Sequence, residues 1–124
     1  MTENYEENKT LPHHHYDGEE VLFEHLPGDD TISKVAAVFK LLDDPSRLRI
    51  FWILCHCEEC VINIASITNM SSPAVSHHLR LLKSSGLIVS ERKGKEMYYK
   101  AASTQMVSSL HTTIESIAEI TCPE

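Results

Sequence analysis

The sequence predicts a mainly α-helical fold that carries one small β-hairpin, and three observations support this class. Apolar residues recur at helical spacing along most of residues 32–120. One helical segment, residues 73–85, begins at a proline and stops before Gly86, both of which are common at helix ends. Two strand-like segments then flank a basic turn at residues 92–95. A short helix followed by a cationic hairpin is typical of an α+β winged helix-turn-helix domain.

Composition divides the chain into two parts. Residues 1–29 are acidic, contain histidines and are interrupted by proline and glycine, so we expect a flexible N-terminal arm. Residues 30–124 hold the periodic segments and are expected to form the winged helix-turn-helix domain. The formal net charge is -7, yet residues 71–102 carry six basic and two acidic side chains. Phosphates are attracted by charges within about 10 Å at moderate salt, so this local surplus favours DNA binding despite the acidic total.

Three helices are expected before the proline-initiated segment. The first covers residues 32–42, and its apolar residues recur every three or four positions. The second begins at Asp44-Pro45, because aspartate is a good N-cap and proline suits the first helical position. The third covers residues 61–68 and forms the helix-turn-helix pair with the segment that follows it. The second helix is expected to bury the apolar face Leu48, Phe51, Trp52 and Cys55.

The segment 73–85 is predicted to be the helix that reads DNA. Its apolar residues Val75, Leu79 and Leu82 fall at i, i+4 and i+7 and would be buried together. Two neighbouring histidines lie about 100° apart on a helix, so we expect one to face the groove and the other to pack. The side chains expected to contact bases or phosphates are Ser72, Ser76, His77, His78, Arg80 and Lys83. The wing cations expected to contact the minor groove or the backbone are Arg92, Lys93 and Lys95.

A last helix is expected over residues 103–121, with Ser103 as its N-cap. One continuous apolar seam runs along it, and a terminal helix of this kind suits a two-fold dimer interface. The alternative is that the seam covers the body of its own chain. Readers of DNA of this size usually combine two half-sites, which favours a homodimer joined through its terminal helices. The expected interface residues are Val107, Leu110, Ile114 and Ile117.

Several motifs taken together resemble the ArsR/SmtB family of metal-responsive repressors. They are AVFKLLDDPSRLRIFWIL, EECVINIA, SSPAVSHHLRLLKSSGLI and RKGKEMYYKAA, which span most of residues 32–120. The resemblance implies a homodimeric repressor that binds a palindromic double-stranded operator. It also implies that a metal or metalloid ion lowers the affinity of the protein for that DNA.

The family has two favoured ligand regions, and the sequence matches them unequally. Its third-helix motif is Glu-Leu-Cys-Val-Cys; this chain keeps the first cysteine as Cys60 and has isoleucine in place of the second. The family pattern on the last helix corresponds here to Ser103, Gln105, Ser116 and Glu119. Because only the glutamate is a ligand of the family pattern, that four-ligand site is not expected.

Cysteines beside the third helix are therefore the main candidate ligands. Cys57 and Cys60 have the two-residue spacing of thiolate sites. Cys55 and Cys122 are further candidates, although Cys55 also suits a packing role as a small hydrophobe. Thiolates favour a soft metal or metalloid ion, namely zinc, cadmium, lead or trivalent arsenic.

Histidines are weaker candidates. His13 and His15 lie in the acidic arm, where borderline ions such as zinc would suit them. His111 and Glu115 are an i, i+4 pair on the last helix, one face away from the apolar seam. We expect this pair to be solvated, with His111 kept as a minor ligand candidate.

The sequence excludes some classes of function and leaves others open. There is no constellation of nucleophile, base and acid, so an enzyme is not expected. No apolar run reaches 18 residues and the N-terminus lacks an apolar core, so we expect no membrane contact and a cytoplasmic location with reduced thiols. The expected function is a metal- or metalloid-responsive repressor that binds its operator as a homodimer. The alternatives are a repressor of the same fold switched by thiol oxidation and a metal-binding buffer protein without specific DNA function.

Overall fold

The structure, a computed structural model, describes residues 11–120. In this range the chain forms six helices and three strands. The helices are α1 Val21–His25, α2 Asp29–Leu41, α3 Pro45–His56, α4 Val61–Thr68, α5 Ser72–Ser84 and α6 Gln105–Ala118. The strands are β1 Glu59–Cys60, β2 Ile88–Lys93 and β3 Glu96–Ala101. The winged helix-turn-helix expected from the sequence is confirmed, with α4 and α5 as the helix pair and β2–β3 as the wing. None of the helices among these residues has the length and apolar character of a membrane span.

The chain divides into two compact units, with the boundary between Phe39 and Lys40. The first unit contains α1 and most of α2. Its one buried charged residue in the described range is Glu19, which is 4% exposed and accepts a hydrogen bond from the backbone N–H of His15 at 2.6 Å. On α2, by contrast, the apolar side chains of Ile32, Val35 and Phe39 are about half exposed or more.

The second unit has a single apolar core. The stripe on α5 is buried as expected, because Val75, Leu79 and Leu82 are each at most 1% exposed. Ile64 of α4 and Val107 of α6 complete the core with residues of α3 and of β2. The core residues are Ile50, Phe51, Leu54, Ile64, Ala65, Val75, Leu79, Leu82, Leu87, Ile88 and Val107.

The expected apolar face of α3 was partly wrong. Phe51 is buried, but its buried companions are Ile50 and Leu54, which face α5 and β3. The other three expected residues, Leu48, Trp52 and Cys55, are only half-buried. Nearly every position from Leu48 to Cys55 is apolar, so periodicity alone does not select the face that packs.

Local end signals position α3 and α5 as the sequence predicts. Asp44 is the N-cap of α3, and its Oδ1 accepts a hydrogen bond from the backbone N–H of Arg47 at 2.9 Å. Ser71 is the N-cap of α5, and its Oγ accepts from the N–H of Ala74 at 3.3 Å. Gly86 follows α5 with a φ of +84°, a left-handed conformation that glycine adopts without the penalty a Cβ brings.

Other boundaries differ from expectation. The first expected helix, residues 32–42, begins three residues earlier, because Asp29 and Asp30 both lie within α2. The last helix begins after Thr104 rather than Ser103, since the Thr104 hydroxyl accepts a hydrogen bond from the N–H of Val107 at 3.2 Å. Its helical conformation ends at Ala118, and Glu119 takes a left-handed φ of 57°.

The three strands form one antiparallel sheet in the order β1-β3-β2. The wing turns between Lys93 and Glu96, where Gly94 supplies the positive φ of 65°. Strand β1 was not expected from the sequence: Glu59 and Cys60 pair with Tyr99 and Tyr98 of β3. The junction between α3 and α4 is therefore hydrogen-bonded directly to the wing.

Candidate functional site

Helix α5 presents a polar face opposite its buried stripe. Four of the side chains expected to contact DNA are exposed, and they are Ser72, His77, Arg80 and Lys83. Ser76 and His78 are half-buried. An α-helix with a free polar face fits the major groove of B-DNA, where hydroxyl and guanidinium groups can reach base edges.

The two histidines of α5 have different surroundings. His77 is exposed, whereas His78 packs against Arg47 of α3, whose Nη1 donates to His78 Nδ1 at 3.0 Å. Arginine has no acceptor, so this contact requires Nδ1 of His78 to be unprotonated. Burial lowers the pKa of His78, and the neighbouring Arg47 charge acts in the same direction. The neutral form of His78 is therefore the one that this arrangement stabilises.

Arg47 joins three elements. Besides His78, its Nε donates to the backbone carbonyl of Leu41 at the end of α2 at 2.7 Å. Its backbone N–H is bound by Asp44, and this hydrogen bond lowers the pKa of the Asp44 carboxyl. Arg47 thus connects the start of α3 to the middle of α5, and this connection was not predicted from the sequence.

The three wing cations are not equivalent. All three side chains are exposed, but only Lys93 makes a described ion pair. Lys93 donates from its Nζ to Oε1 of Glu58, in the junction between α3 and α4, and it lies 5.4 Å from the centre of the Tyr98 ring. The hydrogen bond to Glu58 raises the pKa of Lys93, so its charge is retained but paired with a carboxylate.

The cysteine candidates lie around the same junction. Cys57 is exposed at the C-cap of α3, Cys60 is buried at the N-cap of α4, and Cys55 is half-buried within α3. Burial raises the pKa of the Cys57 thiol and the Glu59 charge raises it further. The thiol also lies 3.5 Å from the Ile53 carbonyl, to which it donates. Across residues 11–120, none of these cysteines belongs to a group of three converging ligand atoms.

The remaining ligand candidates are Cys122, near the C-terminal end of the sequence, and two histidines of the first unit. Cys122 lies outside the described residues. His13 and His15 are exposed in the first unit, where their rings stack with centres 6.0 Å apart.

The expectation that His111 and Glu115 form a solvated pair was wrong. Their side chains are only 21% and 17% exposed, and His111 Nε2 lies 3.0 Å from Glu115 Oε2. His56, at the end of α3, brings its Nε2 to 3.0 Å from His111 Nε2 and to 3.6 Å from Glu115 Oε2. His56 was missed because its approach to α6 is a tertiary contact across 55 residues of sequence.

The apolar seam of α6 has two parts. Val107 is 4% exposed, and Leu110 and Ile114 are half-buried against the core of their own chain. Ile117 is 78% exposed. A groove of 380 Å³ beside this outer part is lined by Pro45, Leu48, Arg49, Trp52, Ile114 and Ile120.

An exposed polar helix with a two-stranded cationic wing beside it defines the class of winged helix-turn-helix DNA-binding proteins. Residues 44–90, which run from the N-cap of α3 into the wing, match the family described as bacterial regulatory protein, arsR family. The chain belongs to the ArsR family. It is a DNA-binding transcriptional regulator and not an enzyme.

Three proteins illustrate these relationships. The SmtB repressor homolog of Synechocystis is 34% identical over 90 residues, which are 73% of this chain and 68% of that protein. The cadmium resistance regulator CadC of Listeria innocua is 44% identical over 60% of this chain, and the match spans 62% of CadC. A homodimeric winged helix-turn-helix domain from Mycobacterium bovis, a possible ArsR-family regulator, is 33% identical with a TM-score of 0.65 and covers 73% of this chain and 82% of its own.

Proposed function

We propose that this chain is a homodimeric repressor that binds a palindromic operator and releases it when a soft metal or metalloid ion binds. The main support for DNA binding is the exposed polar face of α5, which lies opposite its buried stripe. The exposed side chains of this face are Ser72, His77, Arg80 and Lys83. The names of relatives add support for the ion, because the Listeria innocua relative is a cadmium resistance regulatory protein and the Escherichia coli relative is an arsenical resistance operon repressor.

The roles of the DNA-contacting residues follow from their chemistry and exposure. Ser72, His77 and Arg80 would read base edges from the major groove, with Ser76 contributing from its half-buried position. Lys83 on α5 would contact phosphate, as would Arg92 and Lys95 of the wing. Lys93 contributes less to phosphate binding than the other wing cations, because Glu58 already pairs with it.

The dimer would use α6 and its neighbouring groove. The outer part of the seam leaves Ile117 and Ile120 exposed in the protomer, at 78% and 47%. A two-fold axis beside this surface would cover both side chains of each copy, and it would place two α5 helices for two half-sites of the operator. The homodimeric state of the Mycobacterium bovis domain supports a dimer but does not bear on which surface forms it.

Ion binding would release the DNA through a change at the junction between α3 and α4. We place Cys57 and Cys60 as the first ligands, with Cys55, Cys122, His13 and His15 as further candidates. Bringing the exposed Cys57 and the buried Cys60 to one ion requires the junction to move.

That movement would reach the wing by two described contacts. Cys60 pairs with Tyr98 of β3, and Glu58 holds Lys93 of β2. A coupling of about 1–3 kcal/mol between ion and DNA would lower the affinity for the operator by about 5- to 150-fold. Oxidation of the cysteines is the alternative switch, and Cys57 is the exposed thiol among those in the described residues.

The test begins by selecting bound duplexes from a random DNA library and measuring affinity by fluorescence anisotropy. Arg80→Ala is expected to lose about 1–3 kcal/mol of discrimination, whereas Lys40→Ala, an exposed cation outside α5 and the wing, should bind as the parent does. Equal affinities of the two variants would overturn the assignment of α5.

Ion response is tested on the reduced protein without oxygen. Zinc, cadmium, lead or trivalent arsenic should produce thiolate absorption in the ultraviolet together with DNA release. Cys57→Ser and Cys60→Ser should abolish both signals. Retention of DNA under all four ions, with no thiolate absorption, would refute the ion-released repressor.

A further inference from the structure

We propose that His56, His111 and Glu115 bind one divalent ion of the zinc class, at a site distinct from the proposed Cys57 and Cys60 site. The site lies where the end of α3 meets the middle of α6 within one protomer. It therefore differs from the family's four-ligand pattern on the last helix, of which this sequence retains only Glu119.

The three ligand atoms already form a compact triangle. The two imidazole Nε2 atoms are 3.0 Å apart, and Glu115 Oε2 lies 3.0 Å from His111 and 3.6 Å from His56. Nitrogen and oxygen ligands about 2.0–2.2 Å from a tetrahedral zinc ion are about 3.3–3.6 Å apart from each other. Shifts of a few tenths of an ångström would thus convert the triangle into three corners of a coordination sphere.

The chemistry of the three groups also fits a cation. Unprotonated imidazole nitrogen and carboxylate oxygen are both electron-pair donors, and two imidazoles with one carboxylate are a common zinc ligand set. A single metal ion can contact all three atoms at once. Nitrogen and oxygen donors favour zinc, nickel or cobalt over lead and trivalent arsenic, which prefer thiolates.

Neighbouring side chains pack against the three proposed ligands and leave them partly accessible to solvent. The Trp52 ring lies against His56, with ring centres 4.1 Å apart, and the two histidine rings meet edge to face at 4.7 Å. The three side chains are between 16% and 21% exposed, so most of their surface is buried while solvent can still reach them. An open cavity of about 490 Å³ beside the cluster is lined in part by His111 and Cys55, and we expect an ion and a water ligand to reach His111 from this side.

An ion at this site would fasten α6 to α3. Both helices also border the groove proposed for the dimer, which Trp52 and Ile114 help to line. Binding itself does not depend on the operator proposal, because it concerns one protomer and can be measured without DNA. Only an effect on dimerisation or DNA release would rest on that proposed function.

The decisive experiment uses the full-length chain with Cys57→Ser and Cys60→Ser, which removes the proposed thiolate site. Cobalt(II) is titrated while its visible d–d absorption is recorded, and zinc is then added to displace it. Glu115→Gln and His111→Gln should each weaken cobalt and zinc binding by at least about tenfold. The matched control is Glu119→Gln at the residue that follows α6, which lies outside the cluster and should bind as the parent does.

A second measurement avoids any variant of the three ligands. Ring-nitrogen NMR signals of His56 and His111 in the parent chain should move at one equivalent of zinc, while that of the exposed His77 stays in place. Zinc should also raise the melting temperature by about 5–15 °C when present at about a hundredfold excess over its Kd. Unmoved His56 and His111 signals, or undiminished cobalt binding in Glu115→Gln, would overturn the site. That failure would leave DNA binding and thiolate-linked release untouched.

Discussion

Replacing Ile117 by serine should dissociate the proposed dimer without unfolding the protomer. Ile117 is 78% exposed on α6, so its side chain contributes little to the core of its own chain. The fold of each protomer should therefore survive Ile117→Ser. A two-fold interface over this surface would nevertheless lose the side chain twice, because each copy contributes one.

The size of the effect follows from the area available for burial. Complete burial of an isoleucine side chain stabilises by about 1.5–3 kcal/mol, so covering the exposed four-fifths of Ile117 would contribute about 1–2.5 kcal/mol per copy. Two copies give about 2–5 kcal/mol, which corresponds to a dimer Kd raised about 30- to 5,000-fold.

Sedimentation equilibrium over a range of protein concentrations measures this constant directly. Circular dichroism checks that the helices remain, and Ile62→Ser is the matched control because Ile62 is 63% exposed on α4, away from α6. The control should leave the dimer intact. A dimer Kd that changes less than about threefold in Ile117→Ser, or equally in both variants, would refute the placement of the interface.

Three further outcomes are expected. Leu79→Ala empties a core position that is 1% exposed and should lower the free energy of unfolding by about 2–5 kcal/mol in urea denaturation; a smaller loss would contradict the packing of α5. The Cβ added by Gly86→Ala has no atom within 4 Å, so only the φ of +84° opposes the substitution. The free energy of unfolding should fall by about 1–2 kcal/mol, and an unchanged urea midpoint would argue against that conformation. Burial lowers the pKa of His78 in the folded protein, so the unfolded chain binds a proton at His78 more readily. The contribution of neutral His78 to the free energy of unfolding is therefore fully present above the ordinary pKa of 6.5, and it is lost as the pH falls through the pKa of the folded state. His78→Gln should make the urea midpoint depend less on pH, whereas His77→Gln should not. An equal pH dependence of the midpoint in the two variants would contradict this role of His78.

The parts of the fold that the sequence predicted well are those with local signals. Helix α5 has a proline near its start, a glycine after its end and an apolar stripe between them, and each acts within a few residues. The wing likewise needs only two strands and Gly94 between them. In α5 and the wing, interactions between residues close in sequence favour the observed conformation, so a local pattern is enough to predict it.

The features that the sequence did not reveal depend on contacts between distant segments. Strand β1 has two residues and exists because β3 lies beside it, so no periodicity could indicate it. The pairing of Glu58 with Lys93, a cation predicted to contact phosphate, likewise joins residues 35 positions apart in the sequence. His56 reaches His111 only because α3 and α6 pack together, and an isolated histidine at a helix end gives no sign of such a partner.

The pairing of β1 with β3 also constrains how the chain acquires its structure during synthesis. Glu59 pairs with Tyr99, so the sheet closes a loop of about forty residues that contains all of α5. While the ribosome is still adding residues before Tyr98, β1 has no neighbouring strand. The DNA-reading helix and the wing should therefore reach their final packing in one late step, once the second wing strand has emerged, rather than one after the other as they are translated.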